Sequence, residues 1–176
     1  MGLLDHLWNG WRAAYVSDSV VARDTPPIGS VFSQIINSGF SDEDANIVHR
    51  GETCFVIMNA FPYTSGHVMV LPFREVADLE DLTPDEATDL WATVTDAVVA
   101  LKSAYRPDGL NVGVNLGQAA GGSISQHLHV HVVPRWVGDA NFMTTVANTR
   151  TLPEAISDSA AKVKANWPAR RLADDA

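Results

Sequence analysis

The sequence predicts an α+β domain, an antiparallel meander sheet of about five strands with one long packed helix and a short helix at its N-terminus. Three observations carry that prediction. Short apolar runs punctuated by turn residues recur over 47–72 and again over 110–133, the pattern of strands joined by tight connections. One long stretch, 83–105, has helical periodicity together with start and stop signals. The last two strand-like runs flank a glycine-rich connection, which is an antiparallel hairpin before it is anything else.

Taken in order, residues 3–16 place Leu3, Leu4, Leu7, Trp8 and Trp11 on a short amphipathic helix that Asn9-Gly10 interrupts. Asp24-Thr25-Pro26-Pro27-Ile28-Gly29 is a break, so an N-terminal extension, 1–27, precedes the main domain, 28–143. Ser30 to Ile36 reads as a short turn or helix, and Ser41 before Asp42, Glu43 and Asp44 as the N-cap of another short helix. Ile47-Val48-His49 and Thr53 to Asn59 are strands joined by the tight turn Arg50-Gly51-Glu52. The turn Pro62-Tyr63-Thr64-Ser65-Gly66 leads into a third strand, His67 to Pro72. Thr83 caps the long helix, Pro84 occupies its first position and Glu86 completes a capping box. Leu90, Trp91, Val94, Val98 and Leu101 then form an apolar stripe that reads as core, and Pro107-Asp108-Gly109 ends the run. Leu110 to Asn115 and His127 to Val133 are the last two strands. A C-terminal extension, 144–176, holds a final helix with Ala155, Ile156, Ala160, Val163 and Trp167, then a frayed tail from Arg170.

Composition excludes several classes of function. A chain of 176 residues supports one core. A formal charge of −9 and a pI near 4.9 leave no basic surface for tracking DNA or RNA. The lone cysteine, Cys54, excludes an internal disulfide and a cysteine-based zinc cage, and its apolar neighbours make it a small buried residue. Met1 to Val16 lacks the basic start and unbroken apolar core of a signal peptide, and no run is long enough to span a bilayer. A cytoplasmic protein without membrane or nucleic-acid partners is expected.

Chemistry concentrates in Ser125-Gln126-His127-Leu128-His129-Val130-His131-Val132-Val133-Pro134-Arg135. On a strand, His127, His129 and His131 leave one face while Leu128 and Val130 leave the other. Such a row is half of a transition-metal site, or one imidazole attacks while its neighbours orient it and stabilise charge. The glycines of 116–124 are explained by turn geometry alone, but they would also let backbone N–H groups converge on an anion beside the histidines.

With this row, the glycine loop and the Asn59…Gly66-His67 segment, the chain resembles the histidine triad, or HIT, superfamily of nucleotide hydrolases and transferases. The family pattern His-φ-His-φ-His-φ-φ, with φ apolar, is met at every place from His127 to Val133, and agreement runs from Ser30 to Arg135. Asn115, Gly122, Ser123, Pro134-Arg135-Trp136 and Gly138-Asp139-Ala140-Asn141-Phe142-Met143 make it most similar to the fragile-histidine-triad branch and its bacterial diadenosine tetraphosphate (Ap4A) phosphorylases and hydrolases. The resemblance implies that His129 attacks the α-phosphorus of a nucleotide to form a nucleotidyl-histidine, with His127 and His131 orienting it and meeting the phosphate or leaving group. It implies that Asn115, Ser123 and the Gly122 N–H hold phosphate oxygens, that Asn59 bonds the ribose, that His67 lies near sugar or base, and that Ile57 lines the adenine. Without it, Asn59 and His67 are read as capping a turn and Ile57 as core.

The chain also departs from its relatives. Where many bacterial members hold a structural zinc with Cys-x-x-Cys and a further histidine, this chain has Ser30-Val31-Phe32-Ser33 and Glu75, keeping only His127. One imidazole and two hydroxyls make no tetrahedral zinc site, so no structural zinc and no required cofactor are expected, although a divalent cation can accompany a polyphosphate. The expected reaction is cleavage of a dinucleoside polyphosphate, with water or phosphate as acceptor. A phosphoramidase acting on amine-linked adenylates, a nucleotide sensor without turnover and a metal-binding strand are the alternatives. The family further implies a homodimer built on the helix and an edge strand.

Overall fold

The computed structural model describes residues 29–122, 124–139 and 154–169. The expected N-terminal helix, Ser123, the segment from Ala140 to Pro153 and the tail from Arg170 lie outside the described residues.

An open antiparallel sheet of five strands forms the centre, in the order β1-β2-β3-β5-β4. Its strands are β1 (Ile47–Arg50), β2 (Cys54–Met58), β3 (Val68–Pro72), β4 (Gly109–Val114) and β5 (Val130–Arg135). Among the described residues three α-helices accompany it: α1 (Val31–Ile36), α2 (Pro84–Tyr105) and α3 (Ile156–Ala165). The first three strands follow the chain as a meander. Helix α2 then carries the chain across the sheet, so β4 becomes the far edge and β5 returns between β3 and β4. The glycine-rich connection closes the expected hairpin, with Val112 opposite Val132 and Gly113 opposite His131.

Helix α2 starts as its residues require. Thr83 accepts the Glu86 N–H and Glu86 accepts the Thr83 N–H, completing the capping box, while Arg74 binds the same carboxylate at 2.6 Å. Leu90, Val94 and Leu101 are buried as the stripe predicts, together with Ala97 and Ala100. Trp91 is not part of that stripe. It is 48% exposed, because it sits one position round from Leu90 and faces away from the sheet.

The sheet separates two apolar layers. On one side α2 and α3 cover Val48, Cys54, Val56, Val68, Val70, Leu128, Val130 and Val132. On the other, Phe32 of α1 packs with Ile47, Phe55, Ile57, Met69 and Leu71. Strands β2 and β3 are consequently buried on both faces, which explains their unbroken apolar runs. The helix expected after Ser41 does not form. Ser41 does accept the Asp44 N–H at 3.1 Å, but left-handed Asn46, at φ 55°, ends the run of turns and delivers the chain directly into β1.

Candidate active site

The ladder of β5 begins at Val130 and extends to Arg135, later at both ends than the 127–133 expected. Ahead of Val130 the chain has left its neighbouring strands, and the Leu128 N–H donates to the Val76 carbonyl at 2.6 Å. At the far end β5 outlasts its pairing with β3, so Pro134 sits opposite Leu110 of β4 where a missing N–H is tolerated. The alternation of faces survives this shift. Leu128, Val130 and Val132 enter the layer under α2, while Phe32, on the opposite side, lies 5.6 Å from both the His127 and the His129 rings.

Hydrogen-bond partners decide where each imidazole carries its proton. A carbonyl only accepts, so His129, which lies 2.8 Å from the His127 carbonyl through Nδ1, is protonated there. In the neutral ring the lone pair is then on Nε2. His127 donates from Nε2 to the Pro72 carbonyl at 2.9 Å, and its Nδ1 accepts from the Ser30 hydroxyl at 2.7 Å. Burial of His127 is complete and pushes its pKa down, which keeps the ring neutral.

A second relay reaches the triad from the β2–β3 turn. The Tyr63 N–H donates to His67 Nδ1 at 3.1 Å, which leaves the His67 proton on Nε2, 2.9 Å from His131 Nδ1. His131 therefore accepts at Nδ1 and carries its own proton on Nε2. Burial pushes the His131 pKa down to about 4, so this ring is a neutral donor near pH 7. Opposite it stands Gly113, whose missing side chain leaves open space beside the imidazole.

The sign of the resulting pH dependence follows. Below the ordinary histidine value of 6.5 an unfolded chain takes up protons that His131 refuses until about pH 4, so folding stability is present above 6.5 and declines as pH falls toward 4. Urea unfolding of wild type near pH 7 and about pH 5 is expected to show this loss, and His131→Gln a smaller one.

The remaining expected site residues are distributed unevenly. Ile57 is buried within the layer that holds Phe32. Asn59 uses its Oδ1 to accept the Phe61 N–H at 2.9 Å, the turn-capping role its position suggested, with Nδ2 3.4 Å from both His67 nitrogens. His67 is fully buried, and its Nε2 lies 2.9 Å from His131 Nδ1. Asn115 and Gly122 come together at the glycine loop. A Cβ on Gly122 would lie 2.9 Å from the Gly117 carbonyl oxygen and 3.1 Å from that of Asn115, so only glycine fits. The Gly122 N–H, expected to hold phosphate, instead donates to Gly117 O at 3.2 Å and closes the loop. Ser123 lies outside the described residues.

Of two further participants, one carried no recognisable signal in the sequence and the other showed only in the family's zinc pattern. Tyr63, 47% exposed, lays its ring against His67 with centroids 4.6 Å apart. Ser30 is fully buried against His127, and only the Ser30-x-x-Ser33 spacing hinted at it. Ser30, Ser33, Glu75 and His127 do converge, as the family pattern implied. Their donor set does not suit zinc: both His127 nitrogens are engaged, Ser33 donates its hydroxyl to Glu75, and no thiolate is present.

Residues 41–137, more than half of the chain, match the model of the HIT domain. The chain belongs to the HIT domain family. Over 167 residues it is 41% identical to an AP-4-A phosphorylase of Mycobacterium tuberculosis, an alignment covering 93% of this chain and 85% of that protein. An asymmetrical bis(5'-nucleosyl)-tetraphosphatase of Schizosaccharomyces pombe is 34% identical over 95 residues, covering 54% of this chain and 52% of the relative. Among solved structures, a zinc-bound histidine triad family protein of Mycobacterium smegmatis superposes with a TM-score of 0.65 at 28% identity, over 79% of this chain and 93% of that one. The HIT domain match spans β1 to β5 and so contains every imidazole of both relays.

Proposed function

We propose that this HIT domain cleaves dinucleoside polyphosphates of the Ap4A type at the α-phosphorus, with His129 as nucleophile and inorganic phosphate as the final acceptor. The proton order of the triad carries the reading: Nδ1–H of His129 is held by the His127 carbonyl, which leaves Nε2 to attack. An Nε2–P bond forms as the bond to the polyphosphate breaks, and the Nε2–H of His131 stabilises charge on the departing oxygen. Phosphate then attacks the nucleotidyl-histidine, giving ADP and ATP from Ap4A. With water as acceptor the products are AMP and ATP. Phosphate is favoured because the similarity to the mycobacterial AP-4-A phosphorylase extends over nearly the whole chain, including the segments outside the HIT match.

Separation of nucleotides after incubation with Ap4A, with and without phosphate, tests this. Phosphate-dependent ADP is the expected result, and AMP as the main product in the presence of phosphate would reassign the enzyme as a hydrolase. No metal cofactor takes part in this reading, and protein purified without a histidine tag is expected to carry no stoichiometric zinc by elemental analysis. No helix among the described residues is long and apolar enough to cross a membrane.

The assembly we assign to this domain is a homodimer. Strand β4 is a sheet edge whose residues are all at least partly exposed, Val112 to 44%, and α2 presents Trp91 and Val99 at 48% and 47%. An open apolar edge of this length is a site for strand pairing. Sedimentation is expected to show a dimer that Val112→Lys weakens.

A further inference from the structure

The four residues at the position of the relatives' zinc form an ordered hydrogen-bond chain, and its direction follows from counting protons. Glu75 Oε2 accepts the Ser30 N–H at 2.8 Å and the Ser33 hydroxyl at 2.5 Å. Ser33 has thereby used its only hydroxyl proton. Its N–H donates to Ser30 Oγ at 3.1 Å, and the Ser30 hydroxyl proton has two acceptors in reach, Ser33 Oγ at 3.2 Å and His127 Nδ1 at 2.7 Å. The shorter contact wins, because His127 already donates from Nε2 to Pro72 and presents a bare Nδ1. Gly29, left-handed at φ 85°, packs so close that a Cβ there would meet Glu75 Oε2 at 2.9 Å. The two hydrogen bonds hold the Glu75 carboxyl below the ordinary carboxylate range, so the acceptor end of the chain remains charged.

We infer that Glu75 is a positioning residue: through Ser33 and Ser30 it holds the Ser30 hydroxyl on His127 Nδ1, and the His127 carbonyl in turn holds His129. The chain thus does without a metal what a ligand bond would do, tying the start of α1 to the first histidine of the triad. This places Phe32, two residues after Ser30, against the His127 and His129 rings. Glu75 itself is exposed and touches no reacting atom, so its effect is carried entirely by orientation.

The catalytic part of this inference rests on the proposed reaction, whereas the structural part is read without substrate. NMR of the histidine ring nitrogens in the intact protein is expected to show His127 protonated at Nε2 and hydrogen-bonded as an acceptor at Nδ1. In Glu75→Ala the Nδ1 resonance is expected to move toward that of an acceptor lacking a donor. Ser30→Ala, which deletes the donor directly, supplies the reference shift. With Ap4A, kcat of Glu75→Ala is expected to fall about tenfold with KM within about twofold. Glu75→Gln, whose amide oxygen accepts the same two hydrogen bonds, should restore both signals. An unchanged Nδ1 resonance in Glu75→Ala overturns the inference even if no polyphosphate is cleaved. A shifted resonance with unaltered kcat overturns the positioning role while leaving the proposed reaction intact.

Discussion

Alanine in place of His129 is expected to lower turnover of Ap4A by about 10⁴-fold or more while leaving the protein folded. The magnitude follows from the part assigned to this ring. In the proposed reaction its Nε2 forms the bond that divides one displacement into two, and the other unprotonated triad nitrogens are already engaged: His127 Nδ1 accepts from Ser30 and His131 Nδ1 from His67. The ring is only 7% exposed and its anchoring bond among the described residues is to a backbone carbonyl, so its loss leaves a small cavity and no stranded charge. Mass spectrometry of protein quenched during turnover provides the companion measurement. Wild type should carry a nucleotidyl adduct that His129→Ala lacks, and full activity in the variant would falsify the assignment.

His67→Ala should lower kcat by roughly 10²–10³-fold with little change in KM. This histidine lies outside the triad motif, and its effect is transmitted through a proton position. Without the His67 Nε2–H, His131 is free to carry its proton on Nδ1, and the neutral ring then offers a lone pair where the leaving oxygen needs a donor. His67→Gln can accept the Tyr63 N–H and donate to His131, so it should recover part of the loss. Steady-state kinetics of the three proteins decide the matter, with circular dichroism to confirm that each is folded. A kcat for His67→Ala equal to that of wild type would remove the relay from the mechanism.

The two expectations depend on different kinds of information. His129 stands out in the linear sequence because three histidines alternate with aliphatics. The partner relation of His67 and His131 spans 64 residues and arises only when β3 pairs with β5, Met69 facing His131 across the ladder. Local sequence likewise specified the capping box of α2, the buried runs of β2 and β3 and the glycine hairpin, because each of these is set by residues within one turn or one strand. The length of β5 was less legible. Its start depends on where Leu128 finds a carbonyl to bond, and that carbonyl belongs to Val76.

Periodicity and residue chemistry alone determined the α+β class and the row of histidines on one face, while the resemblance to the family implied that Ser30 and Ser33 stand where relatives carry a thiolate pair. Only the tertiary structure decided which nitrogen of each histidine is protonated. A tautomer is selected by the partners of the two ring nitrogens, and those of His127 and His131, namely Ser30, Pro72 and His67, come from distant parts of the chain.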